Sequence, residues 1–147
     1  MQSIVKRIII LSTTAAIAVT FTGCGESKVA QCNKIIKVAN QAVTLSQEFS
    51  KNPQREKGSK ALTEVAGKID SFANEMKALE IKDEKLQGFQ GRFIKLYQDT
   101  SKGLRDTAAA VDKKNLKAAN ASLASLKKSG SEEGAIVNDI NSYCSGK

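Results

Sequence analysis

The sequence predicts an all-α protein, an up-down-up-down four-helix bundle, and three observations support that prediction. The chain has 147 residues, one domain's worth, and its hydrophobic residues, 41% of the total, are enough for a core. It contains one Pro and no Trp, and it is rich in Ala, Lys and Leu, a composition typical of helices. After Ala30 the apolar residues recur three and four positions apart, without the alternation of a strand.

Four segments carry this helical spacing, with short polar stretches between them. Asn52-Pro53 ends the first segment, and Asp83 is the predicted N-cap of the third. Because the connections are short, consecutive helices are expected to be antiparallel neighbours. The first predicted helix covers residues 29–50 and the third covers residues 84–111. The second begins at residue 53 or 59 and ends at 80, and the fourth begins at residue 112 or 115 and ends at 144.

The fourth segment contains Ser129-Gly130-Ser131, which resembles a break. The apolar spacing nevertheless keeps its phase on both sides, and a loop has no reason to preserve phase. This favours one long helix to Cys144, kinked at Gly130, over two short helices.

The apolar stripe of each helix defines the predicted core. These stripes are Cys32, Ile35, Ala39, Ala42, Ser46 and Phe49; Leu62, Val65, Ile69, Phe72, Met76 and Leu79; Leu86, Phe89, Phe93, Leu96, Thr100, Leu104, Thr107 and Val111; and Leu116, Ala119, Leu123, Leu126, Gly130, Glu133, Val137, Ile140 and Cys144.

The first 23 residues predict an export signal. Lys6 and Arg7 form a short basic region, and the uncharged run 8–21 is about 14 residues, too short to span a ~30 Å hydrocarbon core. Thr22-Gly23-Cys24 then resembles the lipobox of bacterial lipoproteins, although Phe21 stands where that family usually has Leu, Val or Ile.

The resemblance implies that Cys24 is the lipidation site. In that family the Cys thiol receives diacylglycerol, the signal is cut before the Cys, and in many bacteria the new amine takes an acyl group such as palmitate. The chain then divides into a signal peptide (1–23), a lipidated tether (24–30) and the bundle (31–147), held at a membrane on the periplasmic face or cell surface. Ordinary signal cleavage nearby and an uncleaved anchor are the alternatives.

The cysteine count agrees with this resemblance. The chain has three Cys, and an exported protein is in an oxidising place where disulfides persist. If Cys24 carries lipid, Cys32 and Cys144 remain as one pair. Both lie on core stripes at the same end of the predicted bundle, so we expect a disulfide there, with two buried free thiols as the alternative.

The composition argues against an enzyme. The absence of His removes His acid–base catalysis, His-ligated haem, His-containing di-iron sites and most zinc sites. No Gly-rich phosphate loop precedes a helix. The sequence therefore predicts no catalytic residue, no cofactor and no metal.

The basic charge is unevenly distributed. Without Lys6 and Arg7, 21 basic and 15 acidic side chains remain, a net charge of +6. Much of it falls in the first and third interhelix connections, which an up-down bundle brings to its membrane-distal end. This candidate binding tip consists of Lys51, Arg55, Lys57, Lys60, Lys113, Lys114 and Lys117.

A second candidate site lies inside the bundle. If Cys32 and Cys144 are level, a small and polar layer falls midway up the core, and it could form a pocket with Glu133 as its acid. The alternative is a kink that turns Glu133 to solvent. The layer is expected near Val43, Ser46, Thr63, Gln98–Thr100, Gly130 and Glu133.

Two function classes follow. The first is a non-catalytic, membrane-tethered binding or accessory module that docks to a membrane complex, a cell-wall polymer, an acidic protein or another anionic surface. The second is a small-ligand carrier or sensor that uses the polar mid-core pocket. Nucleic acid is an implausible partner for an exported, tethered domain.

Overall fold

The computed structural model describes residues 26–51 and 58–146. Within those residues the chain forms four helices and no strand, packed on one another, so the predicted all-α four-helix bundle is confirmed. The signal segment, Cys24, Arg55 and Lys57 lie outside the described residues. The helices are α1 (Lys28–Lys51), α2 (Ser59–Ala78), α3 (Glu84–Asp112) and α4 (Leu116–Cys144).

The helix boundaries follow from local chemistry. Gly58 precedes α2 with φ 108°, a left-handed conformation that favours glycine. The Asp83 side chain caps α3 by accepting from the Leu86 N–H at 2.9 Å, as its N-cap position predicts. Asn115 caps α4 in the same way. Residues 28–30, assigned to the tether from the sequence, form the first turn of α1.

Helix α4 is continuous from Leu116 to Cys144, a length of 29 residues that passes through Ser129-Gly130-Ser131. The prediction of one long helix is confirmed, and the preserved phase of its apolar positions explains why. Gly130 is exposed and has open space around its Cα, so no neighbouring side chain forces a break there.

The helix ends meet as an up-down topology requires. The base of the bundle, defined here as the end that holds the start of α1 and the end of α4, also holds the α2–α3 connection. There the Gln31 side-chain oxygen accepts from the backbone N–H groups of Lys82 (2.7 Å) and Asp83 (3.0 Å). At the same end, the Lys28 ammonium donates to the Tyr143 carbonyl at 2.9 Å, and the Tyr143 hydroxyl donates to Asp83, also at 2.9 Å.

The core differs between the base half and the distal half of the bundle. Towards the base it is built of large side chains that are almost fully buried, such as Ile35, Leu86, Phe93 and Ile140. The buried residues towards the other end are small. They are Ala61, Ser101, Gly103, Thr107, Ala108, Ala110 and Ala119.

Gly103 shows what the small residues permit. A Cβ atom on Gly103 would lie only 2.9 Å from Cδ2 of Leu126 on α4. Helices α3 and α4 therefore approach closely at this level. Because the two helices are this close, small residues fill the space between them without large side chains.

Several predicted core positions are instead exposed, and the stagger of the helices explains the correction. Phe49, near the end of α1, lines the same cavity as Leu126 of α4. Because α1 continues two residues beyond Phe49, it ends about 12 Å short of the start of α4, at 1.5 Å per residue. Leu116 and Leu123 are consequently 78% and 50% exposed. The other exposed members of the predicted stripes are Ser46, Phe49, Val111 and Gly130.

Candidate functional site

A cavity of about 250 Å³ lies midway along the bundle, and residues of all four helices line it. Its walls are mostly apolar, with Leu45 and Phe49 from α1, Ile69 from α2, and Leu96 and Leu104 from α3. Phe49 is partly exposed, which places it at a rim rather than in the interior. The polar lining residues are Ser46, Tyr97, Thr100, Ser129 and Glu133.

The cavity corresponds to the predicted polar layer. Ser46, Thr100, Gly130 and Glu133 all line it, as the alignment of helix heights predicted. The alternative in which Glu133 turns to solvent is wrong, because its Oε1 atom is buried.

Three residues of the predicted layer do not belong to the cavity. Val43, Thr63 and Gln98 are exposed and do not line it. The Thr63 hydroxyl instead donates to the Ser59 carbonyl at 3.0 Å within its own helix. These three residues lie near the predicted height along their helices. They are on the sides of the helices that face away from the cavity.

Glu133 is the acid of the cavity. Among the residues that the structure describes, no group hydrogen-bonds its buried Oε1 atom. Burial raises the pKa of the Glu133 carboxyl above its ordinary value of 4.5. The carboxyl therefore lacks the compensation that a buried charge normally has from a cation or hydrogen-bond donor.

Tyr97 is the second polar group without a partner. The residue is 2% exposed, and within the described part of the chain its hydroxyl makes no hydrogen bond. Burial, and secondarily the charge of Glu133, raises the pKa of the phenol. Tyr97 thus stays neutral, with a hydroxyl that can both donate and accept.

Aromatic packing holds Tyr97 in place. Its ring centroid lies 5.9 Å from that of Phe93 on the same helix and 6.5 Å from that of Phe72 on α2. The Phe72 contact is edge-on, with an interplanar angle of 61°, a favoured arrangement of two rings. The hydroxyl of Tyr97 was not among the residues predicted from the sequence. The signal that could have identified it is a tyrosine at the height of Glu133.

The nearby ion pairs lie outside the cavity lining. Arg105 of α3 pairs with Asp70 of α2 and also bonds Ser101. The hydrogen bond from Arg105 lowers the pKa of Asp70. Lys95 pairs with Asp99 one turn along α3, at 2.6 Å. These cations already have carboxylate partners.

The predicted disulfide is present in the structure. The Sγ atoms of Cys32 and Cys144 are 2.09 Å apart and the Cα atoms 6.1 Å apart, within the range of disulfide geometry. The bond joins the start of α1 to the end of α4 at the base. Its place at the shared end of the two terminal helices agrees with the prediction.

The predicted basic tip is described only in part. Lys113 and Lys114 lie in the α3–α4 connection, and Lys117 lies in the first turn of α4. These three lysines are exposed, as are Lys51 and Lys60. Because Arg55 and Lys57 lie outside the described residues, the convergence of all seven side chains stays a prediction.

Within residues 26–51 and 58–146, no cluster of three or more acidic or Cys side chains is arranged to hold a metal ion. None of the helices in that range has the length and hydropathy needed to cross a membrane.

We compared the chain with protein-family models, with curated proteins and with solved structures, and none of them matches.

Proposed function

We propose that this chain is a membrane-tethered protein that binds a small molecule in the mid-bundle cavity, as a carrier or a sensor. The observation that carries the proposal is the pairing of a cavity with two buried polar atoms, Glu133 Oε1 and the Tyr97 hydroxyl, that have no partner among the described residues. A ligand would supply the missing partners.

The energetic argument concerns these two atoms. A buried donor or acceptor without a partner costs about 1–3 kcal/mol, and more when it is charged. More than about nine in ten buried polar groups in native proteins are paired. Two exceptions that share one cavity are better explained by a shared partner than by two separate defects.

The size of the cavity limits the ligand. An apolar cavity of ~150 Å³ holds benzene, so 250 Å³ accommodates about ten non-hydrogen atoms by the same scale. The lining is largely apolar, and four of its five polar side chains are on α3 and α4. The fitting molecule is therefore small and amphipathic, with an apolar body and one polar end.

Native mass spectrometry of gently purified protein tests the proposal. Thr100→Leu adds apolar volume inside the cavity, whereas Thr63→Leu makes the same change on the exposed face of α2 and serves as the matched control. We expect an additional small mass on the wild type and on Thr63→Leu, and a bare chain for Thr100→Leu. Equal occupancy of the two variants, or a bare wild type, would contradict it.

The tether is the second part of the proposal, and the lipobox-like Thr22-Gly23-Cys24 supports it. Two or three acyl chains hold a protein firmly, since each buried CH₂ contributes about 0.8 kcal/mol. Cys24→Ala should abolish fatty-acid labelling and leave uncut precursor. Wild-type protein that takes up no label and is recovered soluble would refute the tether and leave the cavity proposal intact.

Docking to an anionic surface is a second candidate function. The observation that favours it is the exposure of Lys113 and Lys114 in the α3–α4 connection and of Lys117 in the first turn of α4. Each cation near an anionic surface contributes about 1 kcal/mol, within a Debye length of about 8 Å. Docking and ligand binding use different parts of the molecule, so both can hold.

Charge reversal tests the docking candidate. Lys113→Glu, Lys114→Glu and Lys117→Glu together should weaken membrane-complex or cell-wall association, more at low salt than at high salt. The matched control reverses the exposed Lys37, Lys68 and Lys77 elsewhere on the bundle. Association that is unchanged at low salt, or weakened equally in the control, would refute docking through this connection.

A further inference from the structure

The charge balance of the cavity lining indicates which ligands it accepts. The lining residues of α1 and α2 include no ionisable side chain, and the only ionisable side chain from α3 is the neutral Tyr97. Among the described residues, Glu133 of α4 is thus the single acid of the lining, and no basic residue belongs to it. A site with this composition favours a positive ligand.

The charged residues around the cavity do not alter that balance. Arg105 is paired with Asp70 on the outer side of α2 and α3, and Lys95 with Asp99 on the exposed face of α3. On α4 the neighbouring Lys127, Lys128 and Glu132 are exposed, and on α1 Glu48 is exposed. No described cation is therefore in place to balance Glu133.

The chemistry of the two unpaired atoms agrees with a cation. Glu133 Oε1 accepts hydrogen bonds when ionised, and the Tyr97 oxygen can accept as well. An ammonium group donates up to three hydrogen bonds, and the negative π face of an aromatic ring such as that of Phe49 or Tyr97 attracts a cation. An anion would meet the carboxylate without a compensating cation, and a neutral molecule would leave the buried charge unpaired.

We propose that the cavity binds a monovalent organic cation, with its ammonium group at Glu133 and its apolar body between Leu45, Phe49 and Ile69. This inference rests on the proposed function and adds the charge class of the ligand. Burial raises the pKa of the Glu133 carboxyl, and no described cation compensates for it. A bound ammonium group would lower that pKa again.

Isothermal titration calorimetry with three matched probes tests the charge class. The probes 2-phenylethylammonium, 2-phenylethanol and phenylacetate share one skeleton, have about ten non-hydrogen atoms and differ in charge. We expect the wild type to bind the ammonium at least about tenfold more tightly than the alcohol, and not to bind the carboxylate.

Two variants assign that preference to the carboxyl. Glu133→Gln removes the charge and keeps the shape, and it should abolish the preference for the ammonium probe. Glu132→Gln, one position earlier and exposed, is the matched control and should keep it. The wild-type series is decisive by itself, so the inference stays testable if Glu133→Gln folds poorly.

The outcomes separate the inference from the proposed function. Equal binding of ammonium and alcohol, or tighter binding of the carboxylate, would overturn the cation inference and leave a ligand-binding cavity. Loss of the preference in Glu132→Gln as well would overturn the assignment to Glu133. If the wild type binds none of the three probes, both the inference and the proposed function are overturned.

Discussion

At the scale of single residues, the proposed function depends on Glu133 and Tyr97. Both line the cavity, and the Glu133 Oε1 atom and the Tyr97 hydroxyl have no hydrogen-bond partner within the described residues. The sequence pointed to Glu133 because an acid stood on an apolar stripe. It did not point to the Tyr97 hydroxyl, because an aromatic residue in a helix beside other aromatic residues is expected to be a core side chain, and its oxygen gives no periodic signal.

Tyr97→Phe removes the buried hydroxyl and keeps the ring against Phe72 and Phe93. Because the hydroxyl is desolvated without a described partner, its removal should leave the free energy of unfolding unchanged or raise it by about 1 kcal/mol. Urea unfolding of the ligand-free protein measures this. A loss of about 2 kcal/mol or more would show that the hydroxyl has a partner.

The raised pKa of Glu133 predicts a dependence of stability on pH. The folded carboxyl binds its proton more tightly than the unfolded one, so the unfolded state loses its proton first as the pH rises. The free energy of unfolding should therefore fall as the pH rises from 4.5, the ordinary value, through the raised pKa.

Glu133→Gln should abolish that fall, because the amide does not titrate, while the exposed Glu132→Gln should retain it. Denaturant unfolding from pH 4 to pH 8 compares the three proteins. A wild-type curve parallel to that of Glu133→Gln across this range would contradict the burial of an uncompensated carboxyl.

At the scale of elements, spacing alone predicted the four helices, the unbroken α4 and the Asp83 cap, because each depends on local sequence. The hydrogen bonds of Gln31 were not predictable in that way. Its partners Lys82 and Asp83 are separated from it by 51 and 52 positions, and nothing in a helical stripe indicates which distant backbone a glutamine reaches.

Gln31→Ala should destabilise the protein by about 1–3 kcal/mol, because it leaves the N–H groups of Lys82 and Asp83 without their acceptor. The matched control is Gln47→Ala on the same helix, where the glutamine is exposed. Thermal and urea unfolding measure both. Equal effects in the two variants would show that the Gln31 contacts do not hold the α2–α3 connection to α1.

At the scale of the whole molecule, the topology and the shared end of Cys32 and Cys144 followed from helix order and short connections. The stagger did not, because it depends on how far α1 extends beside α4 and not on which residues are apolar. This is why Leu116 and Leu123, which fit the stripe of α4, are exposed. The cavity lies at the level where α1 ends, with Phe49 beside Leu126.

The disulfide closes nearly the whole domain, since its cysteines are 112 positions apart. The chain-entropy account gives up to about 4.7 kcal/mol for a loop of this length. Reduction should therefore lower the melting temperature while helicity persists below it, because α2, α3 and α4 keep their packing.

Circular dichroism with and without reductant measures this, and the double variant Cys32→Ala, Cys144→Ala is the control that reductant should leave unchanged. Two thiols that alkylate in the oxidised, exported protein would contradict the disulfide itself.

The central claim is that the mid-bundle cavity holds a half-buried carboxyl that has no cation among the described residues and accepts one from a ligand. The ¹³C shift of the Glu133 carboxyl, followed by NMR through a pH titration with and without saturating 2-phenylethylammonium, tests it most directly. We expect a pKa above 4.5 in the free protein, falling when the probe binds, because a bound cation favours the ionised form. A pKa at or below 4.5 that the probe does not change would contradict the claim.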